Sequence, residues 1–252
     1  LFSSNRSYNA LVQYHVGKEI SNKEIKPITY KLYQKFLAEL SGTSLLVFAG
    51  VGGPVFSEGN LVQSGLEAGL IITVIIHIFH KISGAHFNPA VSFPCYLRKL
   101  LPLKDMLVYV LGQFIGAFVG CVLIALCRKG KFDELGATKV QGYVINIGKE
   151  QKIDAMCYVS GLACEFICTF IIMAFVFSIC EKNNNLGNTL GLTFGALIVM
   201  LVLTGAKISA SSFNPARSLA PAVLQAIAGG DKEPLKQIWI YIIGPMGGGC
   251  FA

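Results

Sequence analysis

Charge is what this sequence has least of. Asp, Glu, Lys and Arg make up 14% of its 252 residues, against roughly 25% in a soluble domain. So small a charged fraction cannot clothe a globular surface in water. Cysteine pairs are missing as well. The eight cysteines (Cys95, Cys121, Cys127, Cys157, Cys164, Cys168, Cys180, Cys250) include no CxxC and have no His at zinc-finger spacing. They read as small hydrophobes inside apolar runs, and no metal or other cofactor is expected. The net charge of +7 comes from scattered Lys and Arg with no basic helix and no aromatic platform, which argues against a nucleic-acid partner. No nucleophile–base pair stands out, so an enzyme is disfavoured. The first thirty residues are mixed and polar, without the pattern of a cleavable signal. The sequence begins at Leu1 rather than Met and stops at Ala252 inside an apolar run. The natural chain is expected to extend past both ends.

What is present is apolar length. Hydrophobic residues make up 53% of the chain, and a bilayer needs about 20 apolar residues per crossing helix. Spans are predicted near 33–56, 64–82, 104–127, 156–180, 188–207 and from 235 onward. Two stretches near 88–99 and 214–228 are apolar but too short to cross, and each begins with Asn-Pro-Ala. Paired, Pro-interrupted segments of this kind read as half-helices that enter from opposite sides. Residues 1–31, with Lys18, Lys23, Lys26 and Lys31, form a polar tail assigned to the cytosol. The long connector 128–155 carries Lys129, Lys131, Asp133, Glu134 and Lys149, and the short 181–187 connector holds Asn183, Asn184 and Asn185. Lys and Arg divide almost evenly between the two sides, so charge does not set orientation.

The chain repeats itself. Glu39 with Thr43 matches Glu165 with Thr169, Gly65 and Gly69 match Gly191 and Gly195, and Asn88 matches Asn214. From 39 to 165, 65 to 191, 69 to 195 and 88 to 214 the step is always 126 positions. Beyond the Asn-Pro-Ala the step from Gly112 to Gly244 and from Gly116 to Gly248 is 132, which places extra residues near Gly229–Pro234. Each half holds three spans and one half-helix. An odd number of spans turns the second half upside down. The expected fold is therefore an all-α membrane protein with six transmembrane helices and two re-entrant half-helices in an inverted repeat. Residues 1–31 are the tail and 32–252 the membrane domain, with repeat 1 at about 32–127 and repeat 2 at about 156–252.

The broken segments carry the chemistry. Pro89 and Pro215 suit a first helical position, where the missing N–H has no partner to lose. Asn88 and Asn214 can cap the helices through their side-chain oxygens, which aims the amide NH2 groups at the midplane. Two helix N-termini meeting there present two positive dipole ends. A water between them would be oriented and a proton wire disfavoured, with cations repelled. Carbonyls of 84–87 and 210–213 are expected to supply acceptors along the path. One such motif would be an ordinary loop-to-helix start, but two in register are not. Arg217 lies three residues past Asn214 in an uncharged stretch, and an intramembrane Arg marks a functional site by default. Glu39 and Glu165 could relay protons, but their symmetric placement favours a structural role: accepting hydrogen bonds from the re-entrant loops. The ladders Gly112–Gly116–Gly120 and Gly187–Gly191–Gly195 suit close helix crossings. His77, His80 and His86 are weaker candidates for pH sensing.

The motifs Ser83-Gly84-Ala85-His86-Phe87-Asn88-Pro89-Ala90-Val91 and Phe213-Asn214-Pro215-Ala216-Arg217-Ser218 resemble those of the aquaporin (major intrinsic protein) family. Ala38-Glu39, Gly42-Thr43, Gly112-Gln113 and Gly244-Pro245 support the resemblance, which covers about residues 33–252. It implies a homotetramer in membrane lipid, one pore per subunit, passing water and candidate small neutral solutes such as glycerol, urea or hydrogen peroxide. It places the outer selectivity filter at Ala68, Val202, Ser211 and Arg217. Water-selective members resemble an aromatic and a His at the first two positions. Ala and Val here imply a wider, less polar ring. Ser218 after the Arg, Ala222 and Tyr241 resemble the water-passing subgroup, although Ile242 replaces its usual Trp. Lys81, and Glu67 beside the filter, find no explanation in the resemblance. The competing readings are an ion-coupled secondary transporter and a poorly conducting junctional or scaffold protein. Either the tail or the 181–187 connector is a candidate gate at the cytosolic mouth. The host is a plasma membrane or an internal vesicle or vacuole membrane.

Overall fold

The computed structural model describes residues 29–56, 60–140, 145–147, 150–152, 154–181 and 186–252. Most of the N-terminal tail and Asn183–Asn185 lie outside these, and with them both candidate gates. Among the described residues, five helices are long and apolar enough to cross a membrane: α1 (Leu32–Phe56), α2 (Leu61–Ser83), α4 (Leu103–Cys127), α5 (Ala155–Cys180) and α6 (Leu190–Ser209), the last preceded by one 3-10 turn at Gly187–Thr189. The half-helices are α3 (Pro89–Leu97) and α7 (Pro215–Ile227). The sixth span begins later than its apolar run. A short helix, α8 (Glu233–Lys236), comes first, and α9 (Ile238–Phe251) follows after Gln237. Within the long connector, β1 (Ile145–Ile147) and β2 (Glu150–Lys152) pair antiparallel, a small hairpin added to the all-α membrane part.

The solvent of this fold is legible on its surface. Val62, Leu66, Leu70, Val74 and Ile78 form an exposed apolar stripe at every fourth residue of α2. Leu103, Leu107, Leu111, Ile115, Val119, Val122 and Leu126 form another on α4, at steps of three and four. A helix in water turns such a stripe inward. Here it faces out, and the crossings inside are lined by small residues.

Those crossings follow the repeat. A Cβ on Gly116 would stand 2.3 Å from Leu40 O, and one on Gly248 would stand 2.1 Å from Phe166 O. The ladder at 112–120 thus seats α4 on α1 as Gly244 and Gly248 seat α9 on α5. α2 and α6 cross on the internal two-fold itself. A Cβ on Gly69 would lie 2.5 Å from Gly195 O, and one on Gly195 would lie 2.5 Å from Gly69 O. Thr73 Oγ1 fastens this crossing, 3.0 Å from Gly69 O and 3.1 Å from Gly191 O. With backbones this close, dispersion contacts replace the hydrophobic drive that lipid cannot supply.

Candidate functional site

Two re-entrant loops lead into α3 and α7, and both take a backbone course that side chains resist. Gly84, Ala85 and Phe87 have φ of 89°, 57° and 50°, and Ala210, Ser211 and Phe213 have 61°, 48° and 56°. Left-handed backbone costs a non-glycine residue about 1–2 kcal/mol, so something must hold it. The two buried glutamates do. Glu39 Oε1 accepts from Ser83 Oγ at 2.6 Å and His86 N at 3.0 Å, and Oε2 from Phe87 N at 2.7 Å and Gln113 Nε2 at 2.8 Å. Glu165 Oε1 accepts from Ser209 Oγ at 2.7 Å and Ser212 N at 2.9 Å, and Oε2 from Phe213 N at 2.7 Å. Tyrosines complete each brace: Tyr109 Oη donates to Ser83 O at 2.6 Å and Tyr241 Oη to Ser209 O at 2.7 Å.

The half-helices start as their sequences dictate. Asn88 Oδ1 accepts from Ala90 N at 2.9 Å, and Asn214 Oδ1 accepts from Ala216 N at 3.0 Å and Arg217 N at 3.3 Å. Pro89 and Pro215 occupy the first turn. The amide nitrogens then cross the two-fold. Asn88 Nδ2 donates to Phe213 O at 2.8 Å, and Asn214 Nδ2 donates to Phe87 O at 2.9 Å. Each carboxamide NH2 has two hydrogens, so one ties the halves together and one is left for the midplane. Phe87 O and Phe213 O each accept one of these bonds and keep a second lone pair, while the carbonyls of 84–86 and 210–212 accept from no protein donor among the described residues.

A cavity of about 420 Å³ reaches this crossing from the side of the long connector, here termed outer. Asn88, Asn214, Ala68, Val202, Ser211 and Arg217 all stand on its wall. Ser211 Oγ turns back toward Leu201 O and Val202 O at 3.5 and 3.4 Å. Arg217 Nη1 donates to Gly136 O at 3.2 Å, and no carboxylate pairs with it among the described residues. A second cavity of about 50 Å³ lies on the inner side, and Ile72, His86, Val91 and Phe194 line both. Those four residues lie between the two cavities.

The family model described as Major intrinsic protein matches residues 26–252. The chain belongs to the major intrinsic protein family. It is a multi-pass membrane protein and, as a member of that family, a channel. Aquaporin NIP1-1 of Oryza sativa subsp. japonica is 33% identical over 220 residues, covering 85% of this chain and 70% of the relative. Glycerol uptake facilitator protein-like 6 of Lactiplantibacillus plantarum is 32% identical over 221 residues, covering 87% and 94%. The fold matches the X-ray structure of the aquaglyceroporin from Plasmodium falciparum with a TM-score of 0.75 at 23% identity, over 88% of this chain and 93% of that one.

Glu67 is off the cavity walls; its Oε1 accepts from Gln63 Nε2 at 2.9 Å. His77 contacts Thr73 O and Asn188 O at 2.7 and 3.0 Å, tying α2 to the turn before α6. His80 Nδ1 lies 2.7 Å from Ile76 O. His86 is buried in the first loop, 3.2 Å from Ser92 Oγ. Sequence reasoning quoted Ser83 in a motif without giving it a role and missed Ser209 and Tyr109, although they obey the same 126 and 132 steps as the residues it found. It missed Gly136 and Ala137 on the outer cavity wall for another reason: no repeat mate marks them.

Proposed function

We propose that the chain is a passive channel for water and small neutral solutes, glycerol among them, that excludes protons and ions and works as a homotetramer with one pore per subunit. The crossed pair Asn88–Phe213 and Asn214–Phe87, on the wall of the large cavity, carries this reading. It fixes two amide hydrogens where solute must pass. A water that accepts from both has its lone pairs engaged, so its own hydrogens point away along the path. A continuous proton wire is then broken at that point. The N-termini of α3 and α7 add their positive dipole ends there, and Arg217 and Lys207 place cationic groups on the outer wall. Among the described residues no carboxylate stands on the wall of this cavity. Free loop carbonyls on either side supply acceptors that replace lost hydration.

The ring of Ala68, Val202, Ser211 and Arg217 is apolar on one side and polar on the other. A polyol suits that split, carbon against Ala68 and Val202 and hydroxyls toward Arg217. A relative named as a glycerol uptake facilitator supports the same solute class. An ion-coupled transporter would need carboxylates free to bind ions near the broken helices. Glu39 and Glu165 are instead engaged by loop donors.

The test is stopped-flow light scattering on proteoliposomes, with water, glycerol and urea. Wild type is expected to shrink far faster than empty liposomes. Asn214→Asp replaces the donor to Phe87 O with an acceptor and puts a charge on the wall, so water flow should drop severely. Wild-type flow equal to empty liposomes would remove the channel reading.

A further inference from the structure

The internal two-fold gives every wall residue a mate. Each outer filter position is fixed by its distance from the second or first Asn, and the same steps from the other Asn define an inner set. Ala68 lies 20 before Asn88, and Phe194 lies 20 before Asn214. Val202 lies 12 before Asn214, and Ile76 lies 12 before Asn88. Ser211 and Arg217 flank Asn214 at three residues, as Ala85 and Val91 flank Asn88. All four mates, Phe194, Ile76, Ala85 and Val91, line the small inner cavity. The symmetry thus builds a second ring on the opposite side of the Asn pair.

The two rings differ in chemistry. The outer one has a guanidinium, a hydroxyl and a missing aromatic. The inner one has no charged side chain and holds the aromatic. Phe194 and Val91 line both cavities, of about 420 and 50 Å³, and so lie between them. Phe194 stands on a firmly seated stretch of helix. Its neighbour Gly195 locks α6 onto α2 at the two-fold, and its ring packs edge-on against Phe175 with centroids 5.7 Å apart. The backbone that carries this aromatic is thus fixed, and its ring rests against Phe175.

We infer that Phe194, with Val91, Ile76 and Ala85, forms an inner apolar constriction, and that this ring rather than the Ala68–Val202 ring sets the largest solute the channel passes. The inference rests on the channel reading above. Apolar constrictions act through width and wetting. A small water file crosses such a neck more readily than a polyol, which must shed hydroxyl hydration against carbon.

The test measures the ratio of glycerol to water permeability in proteoliposomes for wild type, Phe194→Ala and Phe194→Trp, each checked for wild-type elution in detergent. Phe194→Ala should raise the ratio several-fold and Phe194→Trp should lower it. Opposite shifts cannot both come from misfolding, and Phe194→Leu takes over if the Ala variant elutes abnormally. If wild type conducts and both variants keep its ratio, the inner ring is not the limit and the channel reading stands alone. A silent wild type with a conducting Phe194→Ala would mean the ring is closed at rest, and supports the inference. If neither carries water above empty liposomes, the channel reading fails and this inference falls with it.

Discussion

Two glutamates decide the local geometry of the site. Each gathers N–H and O–H donors from a loop that would otherwise leave them unpaired in a membrane interior. The sets are not identical. Gln113 donates to Glu39 at 2.8 Å, but the residue one repeat step on is Pro245, whose side chain cannot donate. Replacing either acid with Gln turns one acceptor oxygen into a donor facing donors. An orphaned buried donor costs about 1–3 kcal/mol. Glu39→Gln and Glu165→Gln are each expected to lower the thermal unfolding temperature in detergent, read by tryptophan-independent circular dichroism. Unchanged melting in both would mean that the loops are held by something else. The acids were legible because a charge in an apolar run is conspicuous. The bracing roles of Ser83, Ser209 and Tyr109 were not, since hydroxyls and aromatics occur throughout such runs without standing out.

At the scale of helices, small residues set how near the backbones come. The clearest case is α2 on α6. A Cβ at Gly69 would meet Val199 Cγ2 at 2.3 Å as well as Gly195 O at 2.5 Å, and the second of these is backbone that cannot rotate away. Gly69→Ala should therefore destabilise by about 1–3 kcal/mol, the usual cost of overpacking. Gly50→Ala is the control. Its nearest atom would be Ile71 Cγ2 at 3.4 Å, so its effect should stay within about 0.5 kcal/mol. Unfolding of both proteins in matched detergent separates the cases, and equal stabilities would show that the crossing has slack. Helix positions were legible because a bilayer demands long apolar runs, and the half-helices because Asn-Pro-Ala marks a start. The break before α9 was not, because Gln237 and the apolar residues after it suit a helix equally well. The docking of the long connector was also hidden. Arg217 meets Gly136 from 81 residues away, and no local pattern carries that.

For the molecule as a whole, the two-fold explains why one motif must appear twice and why the halves bond through each other's carbonyls. It does not require the two rings to be alike. Backbone symmetry places 68 and 194 in equivalent settings, beside Gly69 and Gly195, so the side chains there can be exchanged with little change in what supports them. By resemblance to the family, the Ala at 68 is a departure, a proposed filter position without its aromatic. The structure shows that an aromatic stands at the symmetric position instead. If ring placement along the pore is interchangeable, the double variant Ala68→Phe with Phe194→Ala should return the glycerol-to-water ratio toward the wild-type value from the raised value of Phe194→Ala alone. Only the order in which solute meets the narrow and the charged ring would differ. A double variant that stays as permissive as Phe194→Ala would mean that Arg217 and Ser211 keep the outer ring wide whatever fills position 68. The two-fold would then govern the backbone but not selection. Solute uptake by the three proteins, measured in the same vesicle preparation, decides between these outcomes.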